Sequence, residues 1–218
     1  MEIYFINNLC LPNIERTRKG EIYDRIIDKY FLPADTVCIA GGISEYVNIE
    51  ITFLIKLSQK YSHVFYVFGG CDLISDMPLD FKFEKIKNNF RRLQLNKCTP
   101  ERLDGNVFNV DKLVFGGFMG FDNDEDISSW NWWTDSKKEY MSFEKERFQK
   151  IINKTPNIDI MISYYKPKSM RLNNIAHIWH YGCDNKQQIR ETNGHLLITN
   201  SCQCEKSKYT KKDFLINI

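Results

Sequence analysis

The sequence predicts an α/β fold built on a parallel sheet, and three observations carry that prediction. The first is the run at 63–73, HVFYVFGGCDL. Its residues 64–68 are β-branched or aromatic with no polar break, which suits a strand buried on both faces. Gly69-Gly70 then turns the chain and delivers Cys71 and Asp72 at the strand's carboxyl end, where ligands and catalytic groups gather in open α/β sheets. The second observation is that this design recurs upstream, twice, with a helical stretch in between. The third is size: 218 residues, 43% hydrophobic and 27% charged, make a globular chain with a real core and fit a single domain over 1–218.

Residues 3–6 form the first strand, ending at Asn7-Asn8-Leu9-Cys10. Ile22, Ile26 and Tyr30 recur every fourth position and place one face of a helix over 20–31. Residues 36–40 form the second strand, which stops at Gly41-Gly42. A second helix runs over 46–60, with Val47, Ile51, Leu54 and Ile55 inward. The 63–73 run follows, so three turns fall on one edge of a parallel sheet. Over 74–105, Phe81, Phe83, Ile86, Phe90 and Leu93 line a further helix, and the basic residues between Lys82 and Lys97 read as its solvated face.

From Asn106 the period changes. Residues 107–110 and 112–115 form a hairpin or two short strands, and 118–121 continue the second. An acidic loop at 122–126 leads to Trp130, Trp132 and Trp133. A helix begins near Asp135, with Met141, Phe148 and Ile152 on one face. Buried strands follow at 158–163, tipped by Tyr164-Tyr165-Lys166-Pro167, and at 175–181, tipped by Gly182-Cys183-Asp184-Asn185. Residues 188–192 and 195–199, joined by Asn193-Gly194, form a β-hairpin. The Lys-rich stretch 205–213 reads as surface.

A net charge of +2 does not single out a nucleic-acid binder, although a nucleotide or nucleic acid stays open as a ligand. No apolar run is long enough to cross a bilayer. The amino-terminal decapeptide lacks a basic leader region, so a cytoplasmic protein with no membrane contact is expected. The seven cysteines are scattered and odd in number, and they read as reduced thiols.

The five turns together resemble the calcineurin-like metallophosphoesterase family. The resemblance covers essentially the whole chain and implies a two-sheet β-sandwich flanked by helices, with two divalent metals held by the turns. The family's Asp-x-His turn reads Asn8-Leu9-Cys10 here. Gly-Asp reads Gly41-Gly42, and Gly-Asn-His-Asp reads Gly69-Gly70-Cys71-Asp72. The histidine of a His-x-Pro turn falls at Tyr164, and Gly-His-x-His reads Gly182-Cys183-Asp184-Asn185. Of the metal-binding positions none keeps its family residue; besides the motif glycines Asp72 survives, and the resemblance gives it the role of supporting its neighbour instead of binding metal.

Two dications about 4 Å apart repel by about 17 kcal/mol at an effective dielectric near 20, so bridging carboxylates must offset them. Gly42 has no side chain, Asn8 is neutral and Gly70 supplies no amide oxygen. The four histidines (63, 177, 180 and 195) miss every motif position. The expected site is therefore a degenerate one, comprising Asn8, Cys10, Gly42, Gly70, Cys71, Asp72, Tyr164, Cys183 and Asn185, with no metal, no cofactor and no catalytic residue.

The cysteines at 10, 71 and 183 read in two ways. They are a rebuilt thiolate site for zinc, or small semi-apolar fillers of vacated space; the missing CxxC spacing favours fillers. His177 and His180, three apart on a strand, face opposite sides, one packed and one exposed.

Trp130, Trp132 and Trp133 are candidate contacts for a partner or ligand, with core packing the equal alternative. Lys166 is a candidate anion contact. The expected function is a catalytically inactive protein-binding or scaffolding module with an unknown protein partner; the resemblance includes relatives that serve as subunits of larger assemblies. Two alternatives stay open: a metal-dependent phosphodiesterase or protein phosphatase with an atypical cysteine-containing site, and non-catalytic capture of a nucleotide or phospho-ligand.

Overall fold

The computed structural model describes residues 1–11, 19–73, 79–93, 99–120, 146, 148–153, 155, 157–166, 175–183, 185–202 and 209–218. Strand β1 (Glu2–Ile6) leads through helix α1 (Lys19–Tyr30) to β2 (Thr36–Ala40), and α2 (Val47–Lys60) leads on to β3 (His63–Val67). The three strands pair in parallel, with Phe5 opposite Cys38 and Cys38 opposite Phe65. The turns that follow them therefore share one edge, as the repeated strand-turn-helix pattern predicts. A 3-10 turn at Gly70–Leu73 precedes α3 (Leu79–Leu93), and β4 (Glu101–Arg102) adds in parallel to β3.

A second sheet follows. β5 (Asn106–Val110) and β6 (Leu113–Phe118) form an antiparallel hairpin, and β7 (Ile158–Ser163) and β8 (Ala176–Tyr181) extend it in parallel. β9 (Gln187–Thr192) and β10 (His195–Asn200) form a second hairpin, with β10 parallel to β8. The last strand, β11 (Leu215–Asn217), returns to the first sheet and pairs antiparallel with β1. The sheet orders are β11-β1-β2-β3-β4 and β5-β6-β7-β8-β10-β9.

Strand alternation divides the core into layers. Between the sheets Phe65 stacks on Phe115 at 4.5 Å and Phe5 meets the His180 ring edge-on at 5.1 Å. Ile160, Ile162, Ile178 and Ile198 belong to the same interior. Met161, Trp179 and Tyr181 alternate to the other face of the second sheet, with Ile151 and Phe148 of the helical stretch 148–153 packed there. On the outer face of the first sheet Tyr4 meets Phe31, and Phe31 meets Phe53 of α2. Each fully buried aromatic ring contributes about 2–3 kcal/mol by leaving water. Above the core an asparagine clip joins the sheets. The Asn7 amide donates to Gly182 O at 3.0 Å, and Asn200 donates its backbone N–H to Asn7 Oδ1 at 2.8 Å.

Several expectations are corrected. The buried face of α1 is Tyr23 and Ile27, one position on from Ile22, Ile26 and Tyr30, which are half-buried. In α3, Phe81 is 72% exposed, whereas Ile86 and Phe90 are buried. Lys82 is not on a solvated face: it is fully buried. β4 and β11 have two and three residues, too few for any periodicity to show. The expected helix start near Asp135 lies outside the described residues.

Candidate functional site

The carboxyl ends of β1, β2, β3, β7 and β8 bring the five sequence motifs together. Asn8 and Cys10 sit in the left-handed region, at φ 53° and 44°, so the first turn doubles back sharply. Cys10 N–H donates to Gly42 O at 2.7 Å, and Asn8 N–H donates to Gly41 O at 3.1 Å. Across the turns Asn8 Nδ2 donates to Asn185 Oδ1 at 3.2 Å. Gly42 N–H donates to Gly69 O at 3.2 Å, and Asp72 N–H donates back to the same carbonyl at 3.1 Å. Gly182 and Cys183 both donate their N–H groups to Tyr164 O, at 2.9 and 2.6 Å.

Tyr164 is the centre of this arrangement. A Cβ placed on Gly69 would lie 1.9 Å from Tyr164 Cγ, so only a glycine lets the ring settle there. The same ring closes on Gly41 and Gly182. Burial pushes the Tyr164 hydroxyl well above the ordinary phenol range. The expectation that cysteines fill the space between the turns is corrected: Cys10 is exposed, Cys71 and Cys183 are half-buried, and the filler is Tyr164.

Asp72 is fully buried and turned into the backbone. One carboxylate oxygen accepts from Gly42 N at 2.7 Å and Gly69 N at 3.1 Å. The other accepts from Ile43 N at 2.6 Å and Ser44 N at 2.9 Å. It thereby ties the turn after β2 to the turn after β3. Burial pushes its pKa up to about 6, against the opposing pull of Lys82 and of the backbone donors.

Lys82 Nζ reaches from α3 to donate to the Asp72 carbonyl, and it lies 3.2 Å from Glu50 Oε2 of α2. Both side chains are fully buried. Neither Glu50 oxygen accepts a well-formed hydrogen bond, and burial raises the Glu50 pKa to about 8 despite Lys82 beside it. Sequence reasoning missed this pair, although a signal was there. Lys82 shares a helical stripe with Ile86 and Phe90, and Glu50 shares one with Val47, Leu54 and Leu57.

Thiols crowd the turns. The Cys71 thiol donates a long hydrogen bond to the neighbouring Asp72 Oδ1 at 4.0 Å. Burial pushes the thiol of half-buried Cys202 well up. Lys166 Nζ lies 5.7 Å from the Tyr181 ring centre. Trp130, Trp132 and Trp133 lie outside the described residues. His177 is exposed and His180 buried, as the strand period predicts. A cavity of about 670 Å³ lies elsewhere, against α3, β4 and β5, with Phe90, Arg91, Arg102 and Phe108 in its wall.

A pair of divalent cations does not fit these residues. Gly42 offers no side-chain ligand, and a side chain there would run into Asn8, whose Oδ1 lies 2.7 Å from the ideal Cβ position. Both Asp72 oxygens are committed to backbone donors, and Tyr164 covers the glycine floor. Among the described residues no three His, Cys, Asp or Glu side chains are placed to share an ion.

No family model matches the chain, and no curated protein matches its sequence. Solved structures match it in shape. The chain superposes on a phosphopantetheinyl hydrolase from Mycobacterium tuberculosis with a TM-score of 0.60 at 10% identity, covering 91% of this chain and 88% of that chain. It is also similar to Vps29 from Entamoeba histolytica complexed with Zn²⁺, at TM-score 0.36 and 14% identity over 93% of this chain and 76% of that chain. A third match is GAP50, the anchor in the inner membrane complex of Plasmodium, at TM-score 0.44 and 11% identity over 100% of this chain and 77% of that chain. The overlay on the hydrolase defines the class: this is a metallophosphoesterase-type fold, two sheets flanked by helices. The other two matches add no weight to that assignment.

Proposed function

We propose that this chain is a pseudoenzyme on a metallophosphoesterase frame, a cytoplasmic protein-binding or scaffolding module that does not hydrolyse phosphoesters. The observation that carries this reading is the Tyr164 ring seated on Gly69, Gly41 and Gly182, at strand ends where the resemblance would put metal ligands. Catalysis by such a centre needs a charge clamp on the phosphoryl oxygens and a metal-activated water. At the motif positions among the described residues only Asp72 is a carboxylate and none is an imidazole, and Asp72 is already engaged with the backbone. The partner-facing residues in this reading are Trp130, Trp132 and Trp133, with Lys166.

The test uses the native protein. Elemental analysis is expected to find metal well below one equivalent, and a manganese-supplemented assay on a generic phosphodiester is expected to give no turnover above buffer. Replacing Trp130, Trp132 and Trp133 together by alanine is expected to abolish partner recovery in a pull-down. Stoichiometric metal, with turnover lost in Cys10→Ala or Cys183→Ala, would overturn the reading in favour of an atypical cysteine-containing phosphohydrolase, the activity class to which the hydrolase neighbour points. Thermal stabilisation by a nucleotide without turnover would instead mark a ligand-capture module.

A further inference from the structure

We propose that His177 and His195 form an exchangeable metal site, a pair of imidazoles that holds one divalent transition cation of the Zn²⁺, Ni²⁺ or Cu²⁺ class on the outer face of the second sheet. Neither residue belongs to the five turns, so the site is independent of whether the chain hydrolyses phosphoesters.

The sheet brings the pair together. β8 and β10 run parallel, with Leu196 opposite Ile178 and Leu197 opposite Trp179. One residue back, that register sets His195 beside His177, on neighbouring strands about 4.8 Å apart. The strand period puts both side chains on the face that carries Trp179 and Leu197. Both stand at the amino ends of their strands, on the rim opposite the five turns. Their ring centres are 6.4 Å apart, with 22° between the planes. An imidazole nitrogen lies about 1.1 Å from its ring centre and binds such a cation at about 2.0–2.1 Å, so two rings on one ion have centres no more than about 6.5 Å apart. The spacing of the pair is inside that limit, and His177, being exposed, can swing closer.

The ring nitrogens suit the role. His195 Nδ1 lies 2.8 Å from Ala176 O. A carbonyl only accepts, so Nδ1 carries the hydrogen, and in the neutral ring Nε2 keeps the lone pair. Backbone carbonyls orient metal-binding histidines in this way. Asp159 adds negative charge. It stands beside His177 on β7, between the pairs Ile158–Ala176 and Ile160–Ile178. Its Oδ2 accepts from Val114 N–H at 2.8 Å, so it acts from a distance and not as a ligand. No third donor among the described residues is placed to share the ion, so two imidazoles hold it and water completes its shell. The other two histidines take no part: His180 is fully buried, and the His63 ring stacks on Phe65 at 6.2 Å. Two imidazoles release a metal readily, so the isolated protein is expected to carry little of it, and the cation is added for the test.

The test follows the histidine ring signals of the full chain by NMR while Ni²⁺ is added, and with four histidines the spectrum is simple. The signals of His177 and His195 are expected to broaden together below one equivalent, while those of His63 and His180 persist. Zn²⁺ in place of Ni²⁺ is expected to shift His195 Nε2 while Nδ1 keeps its hydrogen. His177→Gln and His195→Gln should each weaken Ni²⁺ binding in calorimetry by at least about tenfold, and His63→Gln should leave it unchanged. Broadening that begins at His63, or that reaches only one of the pair, would overturn the proposal. So would Ni²⁺ affinity unchanged in both glutamine variants, or binding to the native chain no tighter than millimolar. The signals of the native chain decide the matter even where a variant fails to fold.

Discussion

At the strand ends one aromatic side chain takes the space that glycines leave open, and this interlock is testable residue by residue. Tyr164→Ala should cost about 2–3 kcal/mol, since the ring is only partly buried. Gly69→Ala should cost about 1–3 kcal/mol, because the added methyl collides with a ring that has little room to move. The double variant should be more stable than the sum of the two losses, by about 1–2 kcal/mol, because the clash disappears with the ring. Urea unfolding midpoints at constant slope measure all three; strict additivity would show that Tyr164 and Gly69 do not interlock. The turns that carry Asn8, Gly42, Cys71, Tyr164 and Cys183 are legible in the sequence. What fills the space between them is not. A tyrosine after a buried strand looks the same whether it faces water or a neighbour's backbone, and only the parallel register of β7, β8 and the first sheet settles which.

The helices show a different limit on reading patterns. Apolar spacing located α2 and α3 well, yet it treated every lysine in α3 as solvated. Lys82 lies on the buried stripe, and its charge is tolerated because Glu50 and the Asp72 carbonyl meet it there. Hydrophobic period alone cannot register a lysine and a glutamate that are buried together from separate helices. Lys82→Met should therefore destabilise the protein by about 3–5 kcal/mol, since it strands Glu50 in the core, whereas Lys82→Met combined with Glu50→Leu should recover most of that loss. Thermal or urea unfolding of the three variants provides the check. An equal loss in the single and double variants would mean that the lysine matters through packing of its stem and not through charge. The two shortest strands, β4 and β11, escaped the sequence altogether because pairing with β3 and β1 creates them.

For the molecule as a whole, the parallel first sheet is legible because strand-turn-helix order recurs over β1, β2 and β3, whereas the two-sheet sandwich is implied only by the family resemblance. Closure of the sandwich around a histidine is not legible. His180 lies fully buried between the sheets with neither ring nitrogen hydrogen-bonded, and burial lowers its pKa from 6.5 to about 3. The unfolded chain therefore takes up that proton more readily than the folded one between those two values, and stability falls as pH drops from 6.5 toward 3, by up to about 5 kcal/mol. Glu50 acts in the opposite sense. Its raised value, from 4.5 to about 8, adds stability that is full below 4.5 and is lost as pH rises through 8. Comparison with His180→Leu isolates the first effect: the variant should gain on the native chain steadily as the solution is acidified below 6.5. A difference that does not change with pH would show that His180 gains a proton without cost. The β9–β10 hairpin has a practical consequence as well. Because β10 runs parallel to β8, the Asn193-Gly194 tip lies at the end of the sandwich opposite the strand-end turns, and nothing stands within 4 Å of a Cβ built on Gly194. An epitope or fluorophore-bearing insert grafted at that tip would hang clear of the body. It would give a handle for immobilising the protein with the opposite rim left uncovered for whatever binds there.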